Sequence, residues 1–171
     1  MITINNLHKT FGKVEVLKGL DLEINSGGIF AVLGPNGSGK TTLIKSVLGM
    51  VIPEKGTIQI NDKSILKAYE YKNAINYLPQ IANFPANLTV SELIKMIKDI
   101  RVKDADEAAL IERFDLQPVL KQKLGNLSGG TKQKVNLVLT FMFDSELIIL
   151  DEPTTGLDPI SLIRLKEIIK A

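Results

Sequence analysis

Residues 29–41 read IFAVLGPNGSGKT, an apolar run that passes directly into a glycine-rich loop. The run 29–33 is typical of a parallel strand buried on both faces, because such strands show no polar alternation. The loop 34–41 fits the pattern G-x-x-x-x-G-K-[ST], in which glycines allow successive backbone N–H groups to surround phosphates. The apolar spacing of residues 41–50 predicts a helix whose positive N-terminal end favours the same anion. The stretch therefore predicts a strand, a phosphate-binding loop and a helix of an α/β fold.

Within this loop, two side chains suit a nucleoside triphosphate. Lys40 can reach the β- and γ-phosphates, and the Thr41 hydroxyl can ligate Mg²⁺. The alternative is a glycine turn that caps an ordinary helix. The apolar run before the loop and the helical pattern after it favour binding of ATP or GTP.

Length, net charge and composition indicate a single domain and give no sign of a nucleic-acid-binding or membrane-spanning protein. A chain of 171 residues can form one domain with a substantial core, or a core with a small inserted subdomain. Its net charge of +2 gives no electrostatic argument for nucleic acid. It has no cysteine, no apolar run long enough for a membrane span and no signal peptide at its start, so we expect a cytoplasmic location.

The remaining pattern alternates strands and helices. Residues 2–24 predict short strands, with strict alternation at 20–24, and 57–60 and 74–78 predict two more. The charged, strand-free block 89–123 predicts helices inserted into the α/β core; Thr89 with Glu92 and Asp104 with Glu107 have capping-box spacing. A helix is expected from Ser128 to about residue 143, and another after Asp158.

A second apolar strand, Leu147–Leu150, is followed by Asp151 and Glu152. Open α/β sheets bind ligands where their strands end. Asp151 would hold Mg²⁺ through water, and Glu152 would orient or deprotonate the water that attacks the γ-phosphate. An acidic pair that only caps a strand is the alternative, and the phosphate loop upstream favours the catalytic interpretation.

The order of motifs resembles the ATP-binding subunits of ABC transporters over essentially the whole chain. The motifs that carry this resemblance are, in order, Gly34–Thr41, Gln80, Leu127–Gly130, Leu147–Glu152 and Gly156–Asp158. The resemblance implies an α/β fold: a P-loop NTPase, RecA-like core with an N-terminal antiparallel β-subdomain and an inserted α-helical subdomain. The ATP-binding core would comprise residues 1–82 and 126–171, and the helical insertion residues 83–125.

The resemblance also implies a head-to-tail dimer in which each ATP lies between the phosphate loop of one subunit and Ser128-Gly129-Gly130 of the other. Ser128 is a good N-cap, and the N–H groups of the two glycines at a helix start would attract a γ-phosphate. A plain N-cap with flexible glycines is the alternative. Asp158 would cross the dimer interface, although an N-cap role also explains it.

Further roles follow from the resemblance alone. Gln80 would sense Mg²⁺ and the attacking water, and Phe11 would stack on adenine, with a core phenylalanine as the alternative. The implied catalytic residues are Glu152, Lys40 and Gln80, and the implied Mg²⁺ ligands are Thr41, Gln80 and Asp151. The implied ATP contacts are Phe11, Gly34, Pro35, Asn36, Gly37, Ser38, Gly39, Lys40, Thr41, Thr42, Ser128, Gly129, Gly130 and Asp158.

The implied function is an ATPase that energises a membrane transporter. Its partners would be a second ATP-binding subunit, as a homodimer, and a transmembrane permease that contacts the region of Phe84, Pro85 and Leu88. The subunit would lie on the inner face of the cell membrane, with no nucleic acid partner. Residues 127–136 look most like exporter-type subunits, of the copper-processing kind that serves nitrous oxide reductase maturation. The alternatives are a soluble ABC protein acting on ribosomes or DNA, and a nucleotide-binding fragment without turnover.

The sequence departs from the family pattern in two places. Thr131 stands where the family usually has glutamine, which affects some nucleotide contacts. The family's catalytic histidine follows the last predicted helix, and no residue here matches it. We therefore expect a truncated subunit that lacks C-terminal core elements, including a central strand between the phosphate-loop strand and the Asp151 strand. Residues 1–171 alone should expose apolar sheet edges, bind ATP weakly and hydrolyse it poorly.

Overall fold

The computed structural model describes residues 2–66, 69–101 and 103–170. The chain divides into two compact units, Met1–Ala74 and Ile75–Ala171, and each is described by itself. The predicted boundaries of the helical insertion, residues 83–125, stay a prediction.

The first unit contains an antiparallel sheet of four strands. These are β1 (Ile2–Phe11), β2 (Val14–Ile24), β3 (Lys55–Ile60) and β4 (Lys63–Ser64), in the order β2-β1-β3-β4. Strand β2 alternates at residues 20–24 between half-buried apolar and exposed charged side chains, as its sequence predicts. The N-terminal antiparallel β-subdomain is thereby confirmed.

Helix α1 (Lys40–Val47) follows the glycine-rich loop in this unit, and a 3₁₀ helix spans Glu70–Ala74 near the end of the unit. Helix α1 ends where Gly49 takes a φ of +66° and donates its N–H to the Ser46 carbonyl. Its side chains Leu43 and Val47 are buried, as are Ile4, Leu7 and Ile58 of the sheet. The helix predicted after the phosphate loop is therefore present.

The strand predicted at residues 29–33 is wrong for this structure. These residues form no strand, and Ile29, Phe30 and Leu33 are 71%, 54% and 90% exposed. The pattern of a doubly buried strand requires hydrogen-bonding neighbours on both sides. Among the described residues, no strand of the β2-β1-β3-β4 sheet pairs with this segment. The apolar side chains are consequently exposed, whereas the expectation of exposed apolar sheet edges stays a prediction.

Among its described residues, the second unit combines two parallel strands with four α-helices. Strands β5 (Ile75–Leu78) and β6 (Leu147–Leu150) pair in register, from Ile75 opposite Leu147 to Leu78 opposite Leu150. The helices are α2 (Val90–Arg101), α3 (Glu107–Arg113), α4 (Gly129–Phe141) and α5 (Pro159–Lys170), with 3₁₀ turns at Gln117–Val119 and Leu124–Asn126. None of the described helices is long and apolar enough to cross a membrane. The core of this unit includes Leu78, Phe114, Val135, Leu137 and Leu165.

Only one of the two predicted capping boxes forms. The backbone N–H and hydroxyl of Thr89 both donate to the Glu92 carboxylate at 2.8 Å, and the Glu92 N–H donates to the Thr89 hydroxyl at 3.2 Å. The pairing of Asp104 with Glu107 is wrong: α3 begins after Asp106, and the Glu107 carboxylate bonds to the Lys98 ammonium. Glu107 instead has a charged partner on another helix, α2, and the spacing of residues within α3 cannot reveal such a contact.

Replacing Glu92 with Ala is expected to destabilise the protein at neutral pH and to have less effect in acid. The hydrogen bonds from Thr89 hold the pKa of the Glu92 carboxyl below its usual range. A carboxyl with a lowered folded-state pKa stabilises the fold above its unfolded pKa, and that contribution is lost as the pH falls through the folded pKa. Urea unfolding between neutral pH and about pH 3 measures the difference. The prediction would be contradicted if the loss in free energy of unfolding did not depend on pH. It would also be contradicted if replacing the exposed Glu112 of α3 with Ala had an equal effect.

Candidate nucleotide-binding and catalytic site

The phosphate loop of the first unit has the backbone conformation that its glycines predict. Gly37 and Gly39 have φ values of +80° and +95°, in the left-handed region that favours glycine. The Ser38 N–H donates to the Pro35 carbonyl at 3.2 Å, which closes a turn, and Gly39 is the N-cap of α1. The first turn of α1 carries no acidic residue, so nothing there opposes an approaching phosphate.

At two positions of this loop, neighbouring atoms leave no room for a side chain. A Cβ on Gly39 would lie 3.2 Å from the side chains of Val16 and Leu17 in β2, so the loop packs closely on the sheet. A Cβ on Gly34 would lie 2.7 Å from the Ser38 hydroxyl oxygen. The loop is therefore compact, and Asn36 and Ser38 lie on the exposed turn between these two glycines.

The Lys40 ammonium is held by the loop itself. It donates to the carbonyl oxygens of Gly34 at 2.8 Å and Pro35 at 2.9 Å. These contacts hold the ammonium over the loop, where phosphate oxygens would compete for the same donor. Thr41 and Thr42, the next two residues of α1, are half-buried.

Phe11 lies at the end of β1 with 49% of its surface exposed. The Lys9 ammonium is 5.2 Å from the centre of its ring. The exposure is inconsistent with a core phenylalanine and leaves part of the ring accessible to a base. Stacking on adenine stays a prediction.

In the second unit, Gln80 and Glu152 form a direct contact. Parallel pairing of β5 with β6 brings their carboxyl ends to the same edge of the sheet. The Gln80 Nε2 donates to Glu152 Oε2 at 2.7 Å, and both side chains are exposed. Glu152 has a φ of +50°, unusual for a residue other than glycine, Asn or Asp, so the backbone here is held in a strained conformation.

Asp151 lies beside this pair and is only 7% exposed. Its N–H donates to the Leu78 carbonyl at 3.0 Å, which extends the pairing of the two strands. Burial, with a smaller contribution from the Asp151 carboxylate, raises the pKa of the Tyr77 hydroxyl. Asp151 is therefore a buried carboxylate at a strand end.

These residues fit Mg²⁺ in donor type. Magnesium prefers oxygen ligands and usually takes only one or two from protein carboxylates. Asp151 supplies a carboxylate. The Gln80 side chain can offer its amide oxygen to the metal, because its amide nitrogen donates to Glu152. The described residues contain no cluster of three or more His, Cys, Asp or Glu side chains that would form a metal site by itself. Any Mg²⁺ here would therefore depend on oxygens from elsewhere, including those of ATP.

The start of α4 is an open helix end. Ser128 is the N-cap, and its hydroxyl oxygen accepts the Thr131 N–H at 3.2 Å. The Thr131 hydroxyl lies 2.8 Å from the same oxygen, so this residue supports the cap. No described atom would meet a Cβ on Gly129, whereas a Cβ on Gly130 would lie 2.8 Å from the Gly156 carbonyl oxygen. The space beside Gly129 is therefore empty of described atoms, whereas the Gly156 carbonyl fills the space beside Gly130.

Asp158 is the N-cap of α5. It accepts the Ser161 N–H and hydroxyl, each at 2.9 Å, and its Oδ2 lies 2.7 Å from the Lys134 ammonium. These interactions hold the pKa of the Asp158 carboxyl well below its usual range. The N-cap role is confirmed, and the crossing of a dimer interface stays a prediction.

The predicted site residues are thus divided between the two units. Phe11 and residues 34–42 belong to the first, and Gln80, residues 128–130, residues 151–152 and Asp158 to the second. Within the second unit, the structure brings Gln80 to Glu152.

Two polar side chains of α4 that the sequence did not predict as functional donate hydrogen bonds to the backbone next to Gln80 and Glu152. Asn136 and Gln133 are each 4% exposed. The Asn136 amide donates to the carbonyl of Pro79, which precedes Gln80, at 3.2 Å; the Gln133 amide donates to that of Pro153, which follows Glu152, at 3.4 Å. Polar residues three apart within an apolar helix face were the signal that could have found them.

Phe84 and Leu88, the predicted permease region, are half-buried and pack against the core of the second unit. Pro85 between them is exposed. The predicted partial exposure is present, and ordinary loop packing is present as well.

Known proteins match this chain over nearly all of its length. A sequence profile of the family described as ABC transporter matches residues 17–155. The chain is 35% identical over 169 residues to a zinc import ATP-binding protein of Photorhabdus laumondii, covering 99% of this chain and 62% of that protein. It is 37% identical over 182 residues to a lipopolysaccharide export system ATP-binding protein of Haemophilus influenzae, covering 99% and 74%.

A solved structure, an ATP binding subunit of an ABC transporter, superposes with a TM-score of 0.88 at 27% identity. The match covers 98% of this chain and 72% of that one. The mixed α/β fold is thereby confirmed. The chain spans 58%, 54% and 62% of the length of three curated relatives that it matches.

Proposed function

The chain belongs to the ABC transporter family, and we propose that its protein binds and hydrolyses ATP to drive a membrane transporter. The observation that carries the proposal is the 2.7 Å contact between Gln80 and Glu152 beside the buried Asp151. An exposed carboxylate held by an amide suits a base that accepts a proton from the attacking water.

Each part of the proposed site has a distinct task. The backbone N–H groups of residues 34–41 and the Lys40 ammonium bind the phosphates, while Phe11 stacks on the adenine. Glu152 takes the proton from water that Gln80 helps to orient. When bound with ATP, Mg²⁺ neutralises phosphate charge, with Thr41, Gln80 and Asp151 as its protein ligands.

A second copy of the subunit completes each site in this proposal. The start of α4 supports it, because Gly129 is exposed there and a helix end without an acidic residue in its first turn attracts a γ-phosphate. The two copies form a head-to-tail homodimer, and each ATP lies between one phosphate loop and the partner's Ser128 helix start.

The proposed membrane partner is a permease that docks at the region of Phe84, Pro85 and Leu88, with the subunit on the cytoplasmic face of the cell membrane. The half-buried Phe84 supports this placement. The direction of transport stays outside the proposal, because one relative is named for import and another for export. Neither name supports the copper-processing subtype that residues 127–136 suggested.

Purification of the full-length protein from membranes tests the function. We expect Mg²⁺-dependent release of phosphate from ATP and co-purification of a transmembrane subunit. Recovery with ribosomes or DNA in place of a membrane protein would favour a soluble ABC protein. Nucleotide binding without any phosphate release would contradict the ATPase proposal.

A further inference from the structure

One face of α4 lies against the loop that follows Glu152. Gly130, Gln133 and Lys134 share this face because residues three and four apart in a helix are neighbours. The Lys134 ammonium is 2.7 Å from Asp158 Oδ2, and the Gln133 amide donates to the Pro153 carbonyl at 3.4 Å. A Cβ on Gly130 would lie 2.8 Å from the Gly156 carbonyl oxygen. We call the ion pair, the hydrogen bond and this close approach together the helix–loop contact.

The loop of this contact joins two parts of the proposed site. It follows Glu152 directly, and the Thr155 N–H donates to the Glu152 carbonyl at 3.2 Å. It ends at Asp158, which is bound on one side by Ser161 and on the other by Lys134. A movement of the loop away from α4 would therefore move Glu152 and Asp158 relative to Ser128, where α4 begins.

The ion pair itself contributes little to folding. The Asp158 side chain is 45% exposed, and an ion pair with a solvent-exposed member gains little free energy in water. Asp158 caps α5 through Ser161 whether or not Lys134 is present. The effect of Lys134 is therefore on where the carboxylate points rather than on whether the helix forms.

We propose that Lys134 is a positioning residue that holds loop 153–158, and with it Glu152 and Asp158, in register with the Ser128 helix start. This inference rests on the proposed ATPase function. Lys134 couples the helix end that contacts one ATP of the dimer to the carboxylate that acts on the other. Chemistry at a γ-phosphate is sensitive to such displacement, since misplacement by about 1 Å can cost about a hundredfold in rate.

The test compares variants of the full-length protein at saturating Mg-ATP. For Lys134→Met, which keeps the length of the stem and removes the charge, we expect kcat to fall about tenfold to a hundredfold with KM changed less than about twofold. Lys134→Arg keeps a cation and should recover most of the loss. Lys132→Met, two residues earlier in α4, is the matched control and should behave as wild type, since no described carboxylate pairs with Lys132.

Two further measurements separate positioning from stability. The thermal midpoint of Lys134→Met should shift by no more than about 2–4 °C. Asp158→Asn keeps an N-cap and removes the charge, so it should lower kcat to a similar extent. The double variant should then be no slower than either single variant, because both remove the same interaction.

Each outcome decides the inference. A kcat of Lys134→Met equal to that of Lys132→Met would overturn it and leave the ATPase proposal intact. A loss that arginine does not recover and that accompanies a large fall in thermal midpoint would also overturn it, because the role would then be structural. No phosphate release by the wild type would overturn the ATPase proposal and this inference with it.

Discussion

Turnover of ATP by the full-length protein is expected to fall by about 10²- to 10⁴-fold when Glu152 is replaced by Gln, while nucleotide stays bound. Glutamine has the same shape, so the left-handed backbone at φ +50° is equally strained before and after the change. Its amide oxygen can still accept the hydrogen bond from Gln80 Nε2. The substitution therefore removes the negative charge and the proton acceptor and leaves the geometry in place.

Binding should survive because the phosphate-binding groups lie in residues 34–41 rather than at Glu152. Phosphate release and equilibrium binding of Mg-ATP, measured on the same preparation, separate the two effects. Glu167→Gln, an exposed glutamate on α5, is the matched control and should leave both unchanged. Turnover by Glu152→Gln equal to that of this control would remove Glu152 from the role of base.

Weaker nucleotide binding is the corresponding expectation for Lys40→Met. The ammonium lies over the loop on the carbonyls of Gly34 and Pro35, so it is already near the position that phosphate oxygens would occupy. A hydrogen bond to a charged group is worth about 1.5–3 kcal/mol, which corresponds to a rise in Kd of about tenfold to a hundredfold. Titration with Mg-ATP measures the change.

Lys45→Met provides the control for this experiment. Lys45 lies in the last turn of the same helix and is exposed. The two variants lose the same charge. An equal rise in Kd in both would result from the change in net charge, whereas a rise only in Lys40→Met would result from the loss of the ammonium at the phosphate loop. Equal affinities for Lys40→Met and Lys45→Met would show that the ammonium takes no part in binding.

Local chemistry explains why much of the site could be predicted. The left-handed conformations of Gly37 and Gly39, the cap at Ser128 and the capping box of Thr89 each depend on residues a few positions apart. The contact between Gln80 and Glu152 could be anticipated in outline, because parallel strands bring their carboxyl ends together. Those features depend on short segments of sequence and on the rule that parallel strands end at the same edge of a sheet.

Burial and long-range pairing could not be predicted in this way. The run 29–33 has the composition of a buried strand and is exposed, because hydrogen-bonded neighbours rather than composition place a strand in a sheet. Glu107 pairs with Lys98 rather than capping its own helix with Asp104, since an ammonium from another helix is near.

The sequence by itself determined the chemistry of this protein: a loop that can surround phosphates, two carboxylates after an apolar strand and a glycine-rich helix start at Ser128. The tertiary structure alone decided which of those groups meet. The Gly156 carbonyl fills the space beside Gly130, while the space beside Gly129 is empty of described atoms. Asp158 is bound to Lys134 as well as to its own helix. The reason is physical: a cap or a turn is made by adjacent residues, whereas an ion pair between α4 and a distant loop exists only after the chain has packed.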